Sequence, residues 1–206
     1  MSLKVDILKK SRELFYKNGY SKVTVDEIAL GLGISKKTIY KYYSGKQQIL
    51  EMIFFEFKKV LSGEVSAVLD NTDLSYPEKL KQMMMRVAVA LSGMSPVFFV
   101  DIQDNFPDLW DQINRYKQDA AFLRFNRLID EGINKGYIKE GINKNMVVAL
   151  YASAINNLLD PHFLYQLPDK IKEGIPQYPA EIFDHALHII YEGILTDDAI
   201  NNYQKD

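Results

Sequence analysis

The chain has 206 residues, 47% hydrophobic and 25% charged, with a net charge of −2, which is enough apolar material for a globular core and excludes the disordered and fibrous classes. It contains no cysteine, which excludes a disulfide framework and any thiolate metal site. Residues 1–60 carry twelve Lys or Arg against six Asp or Glu, and the remainder thirteen against twenty-one, so a basic front end sits on an acidic body and suits a polyanion, although charge alone fits a solvated face equally well.

The N-terminus, Met1 to Phe15, carries charge every few residues and has no apolar run of the kind a signal peptide needs. No later stretch approaches the roughly 18 apolar residues of a membrane span. The expected setting is cytoplasmic, with no membrane partner.

Nearly every segment is predicted helical. The first helix is expected over 4–17, with Ile7, Leu8, Leu14 and Phe15 at helical spacing around Ser11, and Gly19 as its stop. Thr24 followed by Glu27 is a capping box that opens a second helix, with Ile28, Ala29 and Leu32 inside. Gly31 and Gly33 limit its length. Ser35 is placed to cap a short helix over 36–43. Ser44 with Gln47 forms a second box, opening a long helix through Ile49, Leu50, Ile53, Phe54, Phe57, Val60 and Leu61. Three short helices with a glycine-containing turn between the second and third have the order of a helix-turn-helix.

Further helices are expected over 76–92, 97–105 and 108–135, the last carrying Leu109, Ile113, Tyr116, Ala120, Leu123, Leu128 and Ile129 and ending at Lys135-Gly136. Residues 143–159 are apolar on nearly every side, which predicts a buried helix. Four prolines in 161–180 predict a long irregular connection. A final helix is expected over 180–196, and a polar, frayed tail after Asp197.

The segment 31–50 holds Lys36, Lys37, Lys41 and Lys46 and no acidic residue. At about 100° per residue, Ile39 and Tyr43 fall on one side of the 36–43 helix and Lys37 and Lys41 on the other. Thr38 and Tyr42 flank that outer face at one edge, Tyr40 at the other. Such a face has what a major-groove helix needs: lysine donors for guanine or phosphate, a hydroxyl, and aromatic groups for thymine methyls. Lys46 near a helix start, and Thr24 at another, are candidate phosphate anchors.

Thr24-Val-Asp-Glu-Ile-Ala29, then Gly33-Ile-Ser-Lys-Lys-Thr-Ile-Tyr-Lys-Tyr-Tyr43, then Lys46-Gln-Gln-Ile-Leu50 resembles the DNA-binding domain of the tetracycline-repressor (TetR) family. The resemblance covers about the first quarter of the chain. It implies an all-α protein, with a helix-turn-helix DNA-binding domain over 1–45 and a helical bundle over 46–206 for effector binding and dimerisation. It implies a transcriptional regulator, commonly a repressor, that binds palindromic double-stranded DNA as a homodimer and is released by a small-molecule effector. Carried over residue by residue, Lys36, Lys37, Thr38 and Tyr40 face the bases, with Lys41 beside them, and Thr24, Tyr42 and Lys46 contact phosphates. Two positions depart from the family pattern. Lys37 stands where a small residue is usual, so base preference does not transfer. Tyr43 stands where phenylalanine is usual, and its hydroxyl needs a partner, for which a phosphate is a candidate. The helices over 143–159 and 180–196 are the expected dimer interface, packed as a four-helix bundle.

Met84, Phe98, Phe99, Trp110 and Tyr151 are the candidates for lining an effector pocket, on a softness argument for the methionine and on the aromatic clustering around two helix breaks. Their alternative is ordinary core packing. His162, His185 and His188 do not form a metal-ligand pattern. No nucleophile motif, phosphate loop or paired-carboxylate signature is present, so no enzyme activity, cofactor or metal is expected. The acidic residues Asp101, Asp104, Asp108 and Asp111 suggest a solvated rim. The competing reading of the whole chain is an all-helical small-molecule or lipid-binding protein, or an enzyme, with a basic N-terminal module.

Overall fold

The computed structural model describes residues 2–194 together with Asp197 and Asp198. Twelve α-helices follow in order among these residues: α1 (Leu3–Asn18), α2 (Val25–Leu32), α3 (Lys36–Tyr40), α4 (Lys46–Asp70), α5 (Tyr76–Leu91), α6 (Pro96–Asn105), α7 (Pro107–Ala120), α8 (Asn126–Asn134), α9 (Lys144–Leu158), α10 (Pro161–Gln166), α11 (Asp169–Lys172) and α12 (Pro179–Ile194), with a π turn at Ala121–Phe125 joining α7 to α8. The fold is all-α. No single described helix is long and apolar enough to cross a membrane.

The local signals act as their chemistry requires. Gly19 stops α1 at φ +84°, a region essentially closed to side-chain-bearing residues. The Thr24 box is complete: the Glu27 amide donates to Thr24 Oγ1 at 3.1 Å, and the Thr24 amide donates to Glu27 Oε2 at 2.7 Å. Gly33 ends α2 in the left-handed conformation, at φ +66° and ψ +30°. Replacing Thr24 by alanine should cost about 1 kcal/mol of stability, read as a lower urea midpoint. An unchanged midpoint would show that the box does not set the start of α2.

Several expectations shift. α3 ends at Tyr40 rather than Tyr43. Residues 41–43 continue as a turn, with the amides of Tyr42 and Tyr43 both donating to the Ile39 carbonyl, because Gly45 is fully extended and takes the chain out of the helix. The second capping box is displaced by one residue: Ser44 donates through its amide and hydroxyl to Gln48, whereas Gln47 pairs with Glu51. α4 continues to Asp70, and Val60 is exposed rather than inside. The 108–135 helix is broken in phase by the π turn, an insertion of one extra residue in a turn. Leu123 consequently faces solvent, whereas the next residue, Arg124, is half-buried. The proline-rich connection over 161–180 contains two short helices, α10 and α11. Asp160 caps α10 by accepting from the amides of His162 and Phe163.

The hydrophobic core runs without interruption from Ile7 to Ala186. α1 packs on α2, α4 and α6. α5 lies between α4 and α12, and α9 packs on α7 and α12. α9 is not buried all round within one chain. Val147, Val148, Tyr151 and Ala152 face the core, whereas Met146 is 54% and Leu150 61% exposed. The side chains of Leu187, Ile190, Tyr191, Ile194 and Leu195, expected on the inner face of the last helix, lie outside the described residues, as does most of the tail.

Candidate nucleic-acid interface and ligand cavity

The short α3 is held as a rigid platform. Ser35 Oγ accepts from the Thr38 amide at 3.2 Å and lies 2.9 Å from the Thr38 hydroxyl. Ile39 is fully buried among the side chains of the N-terminal core, and Tyr43 nearly so. The Tyr43 hydroxyl donates to the Lys4 carbonyl at 3.0 Å; its partner is therefore the backbone of α1 and not a phosphate. Burial, with Glu56 adding to it, pushes this phenol up to about 12. With its inner side fixed in this way, α3 and the turn that follows it carry Lys36, Lys37, Tyr40, Lys41 and Tyr42 outward, all exposed, with Thr38 half-buried. Lys36 is tethered to Asp26 at 2.8 Å.

Lys46 behaves differently from the other lysines. Its ammonium donates to the carbonyls of Tyr20 at 2.8 Å and Val23 at 2.7 Å, reaches the Ser21 carbonyl at 3.4 Å, and sits 4.1 Å from the centre of the Tyr20 ring. Burial draws its pKa down, against the pull of Asp101 and Glu27. The side chain thus clasps the loop between α1 and α2 from the start of α4. The same loop is held from α6, where Asp101 accepts from both the amide and the hydroxyl of Ser21. Asp104 binds His162 at 2.8 Å. Two of the four carboxylates expected on a solvated rim are therefore structural ties.

Below this unit lies an apolar cavity of about 130 Å³. α4 contributes Leu50, Ile53, Phe54, Phe57 and Leu61, α6 contributes Phe98, Phe99 and Ile102, and α7 contributes Trp110, Ile113, Tyr116 and Lys117. Tyr16 of α1 also reaches the wall and packs on Phe98 at 4.9 Å. Phe99 meets Trp110 edge-on at 6.3 Å, and Tyr151 stacks on Phe125 at 4.0 Å. A cavity near this size with apolar walls stays dry and takes up a compact apolar guest. Its polar features are few. Arg124 donates to the Ser62 hydroxyl and approaches Tyr116 Oη at 3.4 Å. Burial raises the Tyr151 phenol above its ordinary pKa.

Residues 7–53 match the family model described as bacterial regulatory proteins, tetR family. The uncharacterized HTH-type transcriptional regulator YvaF of Bacillus subtilis (strain 168) is 25% identical over 193 residues, covering 93% of this chain and 95% of that protein. The match places a TetR-type DNA-binding segment at residues 7–53. A second relative, the fatty acid metabolism regulator protein of the same organism, is 25% identical over 142 residues, or 68% of this chain and 72% of that one. Among solved structures, a TetR-family regulator from Marinobacter aquaeolei VT8 superposes with a TM-score of 0.70 at 20% identity, covering 100% of this chain and 98% of that chain. The ketosteroid transcriptional regulator KstR2 of Mycobacterium tuberculosis does so with a TM-score of 0.61 at 18% identity, covering 95% and 96%.

Four of the five pocket candidates, Phe98, Phe99, Trp110 and Tyr151, come together on the cavity wall. Met84 does not. It is buried elsewhere, and its neighbour Met83 lines the cavity instead, since adjacent residues on a helix point about 100° apart. The polar wall residues Lys117 and Arg124 were missed. A signal for Lys117 existed: it stands four residues after Ile113 and three before Ala120, a charge set within an otherwise apolar stripe. His185 and His188 lie exposed on α12.

Proposed function

We propose that this regulator is a cytoplasmic homodimeric repressor that binds palindromic operator DNA and is released when a small molecule occupies the cavity. The observation that carries the DNA-binding reading is the outer face of α3 and the turn after it: Lys37, Tyr40, Lys41 and Tyr42 point outward from a segment whose other side is locked by Ile39 and Tyr43. Lys36, Lys37, Thr38, Tyr40 and Lys41 are assigned to the groove, and Thr24 and Tyr42 to phosphates. Lys46, clasped by three carbonyls, is assigned to holding the unit in shape. Residues 1–45 form the DNA-reading unit, and residues 46–206 the sensing and dimerising one.

The homodimer is supported by the apolar side chains that one chain leaves uncovered on α9 and α12, namely Met146, Leu150 and Ile189, the last 72% exposed. α9 and α12 pack side by side, so two copies would close a four-helix bundle. Two recognition helices must then lie about 34–36 Å apart to enter successive major grooves. The cavity touches α1 through Tyr16, α4 through Phe54 and Phe57, and α6 through Phe98 and Phe99. These are the helices that carry the DNA-reading unit and its ties. A ligand that fits the cavity better in a different spacing lowers affinity for DNA through that preference alone. A relative named for fatty acid metabolism lends support to an apolar effector.

Filter binding of the full chain to random duplex DNA across a salt series tests the reading. The parent should bind at low salt, and the Lys37→Ala/Lys41→Ala variant should bind random duplex more weakly and with a shallower salt slope, since non-specific binding is carried by cation–phosphate charge even for lysines that reach base edges in a specific site. Absence of binding at low salt would overturn the proposal in favour of a ligand-binding protein that does not read DNA. Equal slopes would remove the two lysines from the interface.

A further inference from the structure

We propose that the effector is an amphipathic anion: a compact apolar body that fills the cavity and a single anionic headgroup that pairs with Lys117. This rests on the reading of the cavity as the effector site and specifies the chemistry of its occupant.

The cavity wall is hydrocarbon and aromatic nearly throughout, so the occupant's body must be apolar. Lys117 breaks that pattern. Its Nζ is shut off from solvent and has no hydrogen-bond partner among the described residues. The ammonium lies 5.0 Å from the centre of the Trp110 ring, a contact that compensates only part of the cost of desolvation. An ammonium withdrawn from water with none of its donors satisfied is held at a cost. No neighbouring group among the described residues accepts a hydrogen bond from it. Asp160 acts on it electrostatically from a distance, but it is not within hydrogen-bond reach of Nζ, and its Oδ1 is turned to Gln103 and the amides of His162 and Phe163. Arg124, the other cation on the wall, is engaged by Ser62 and Tyr116. Burial lowers the Lys117 pKa only to about 8, so the group is largely protonated at neutral pH and still needs an anion. A ligand carboxylate or phosphate would accept the donors that the protein leaves open, in surroundings where such a bond is strong.

Trp110 is the sole tryptophan and lines the same cavity, so its fluorescence reports occupancy directly. Octanoate and 1-octanol offer the same apolar chain with an anionic and a neutral head. Titrated into the full chain at pH 7, octanoate should bind about tenfold to a hundredfold more tightly than 1-octanol, the ratio expected of one hydrogen bond to a charged group. Lys117→Met should abolish the preference, and Lys117→Arg should retain it. Equal affinities of the parent for the two probes, or a preference for the alcohol, would overturn the anionic headgroup while leaving the cavity as an apolar effector site. A preference that survives in Lys117→Met would overturn the role of Lys117. Failure of both probes to bind would remove the effector cavity as well. Thermal unfolding checks that the variants fold; should Lys117→Met not fold, the parent's own octanoate-to-octanol ratio decides the question.

Discussion

Replacing Phe15 by alanine should lower the unfolding free energy by about 3–5 kcal/mol and should weaken DNA binding with it. Phe15 is fully buried and meets Tyr20 edge-on at 5.1 Å; Tyr20 in turn meets Phe106, at the end of α6, at 4.5 Å. The Tyr20 ring is also the surface on which the Lys46 ammonium rests. One side chain therefore supports the α1–α2 loop, the start of α4 and the end of α6. Truncation leaves a void that these three elements cannot close together without giving up the lysine's carbonyl partners. Against a typical total stability of about 5–15 kcal/mol, the loss should bring the thermal midpoint down by many degrees. Urea unfolding followed by circular dichroism measures the first effect and filter binding the second. A midpoint within experimental error of the parent's would refute the shared-support role.

The second large effect is expected at Lys79. This lysine is nearly buried and joins three helices: its ammonium donates to both carboxylate oxygens of Glu131 on α8 at 3.0 Å and to the Leu69 carbonyl at the end of α4 at 3.2 Å. Lys79→Met should cost about 3 kcal/mol, at the lower end for a broken buried pair because Glu131 keeps Lys135 at 2.8 Å. The pH dependence should change as well. Burial works against the ionised form of Glu131, but hydrogen bonds and charge from Lys135 and Lys79 outweigh it, so the folded pKa lies below the ordinary glutamate value. A depressed carboxyl stabilises the fold above its unfolded pKa of about 4.3 and loses that contribution as pH falls through the folded value. Without Lys79 the depression shrinks, and the acid unfolding midpoint should move to higher pH. An acid midpoint unchanged in Lys79→Met would show that Glu131 draws its stabilisation from Lys135 alone.

How much of this was legible in the sequence depended on how local the cause was. The Thr24 box, the Ser35 cap and the Gly33 stop need only residues within four positions of one another, and each acts as its residue types require. The burial of Ile39 and Tyr43 followed from helical phase. Beyond one or two turns that phase became unreliable. A π turn carried the inner side of the helix from Leu123 to Arg124, and nothing in the composition of Ala121–Phe125 announces it. Longer-range partners were less legible still. The Tyr43 hydroxyl finds a carbonyl 39 residues away, and Lys46 turns to carbonyls more than 20 residues back. A lysine near a helix start looks the same in sequence whether it faces a phosphate or its own backbone. The pocket aromatics were recognisable as a cluster, but choosing Met83 over Met84 needs the azimuth of α5 against its neighbours.

α4 is a single rod of 25 residues, roughly 37 Å long at 1.5 Å per residue, fastened at both ends. Lys46 pins its start to the loop carbonyls, and Lys79 and Arg127 pin its end through the Leu69 carbonyl. The cavity presses on its middle, at Phe54 and Phe57. A rod so fastened resists sliding along its axis, so the movement open to it under the proposed function is a pivot. With the distal fastening as fulcrum, a tilt of about 5° carries the other end through about 3 Å, more than half the rise of a helical turn. Under the proposed function, a guest that parts two aromatic rings by a fraction of that distance would be geared up at α3, and the leverage would come from the length of α4 rather than from any softness in the protein.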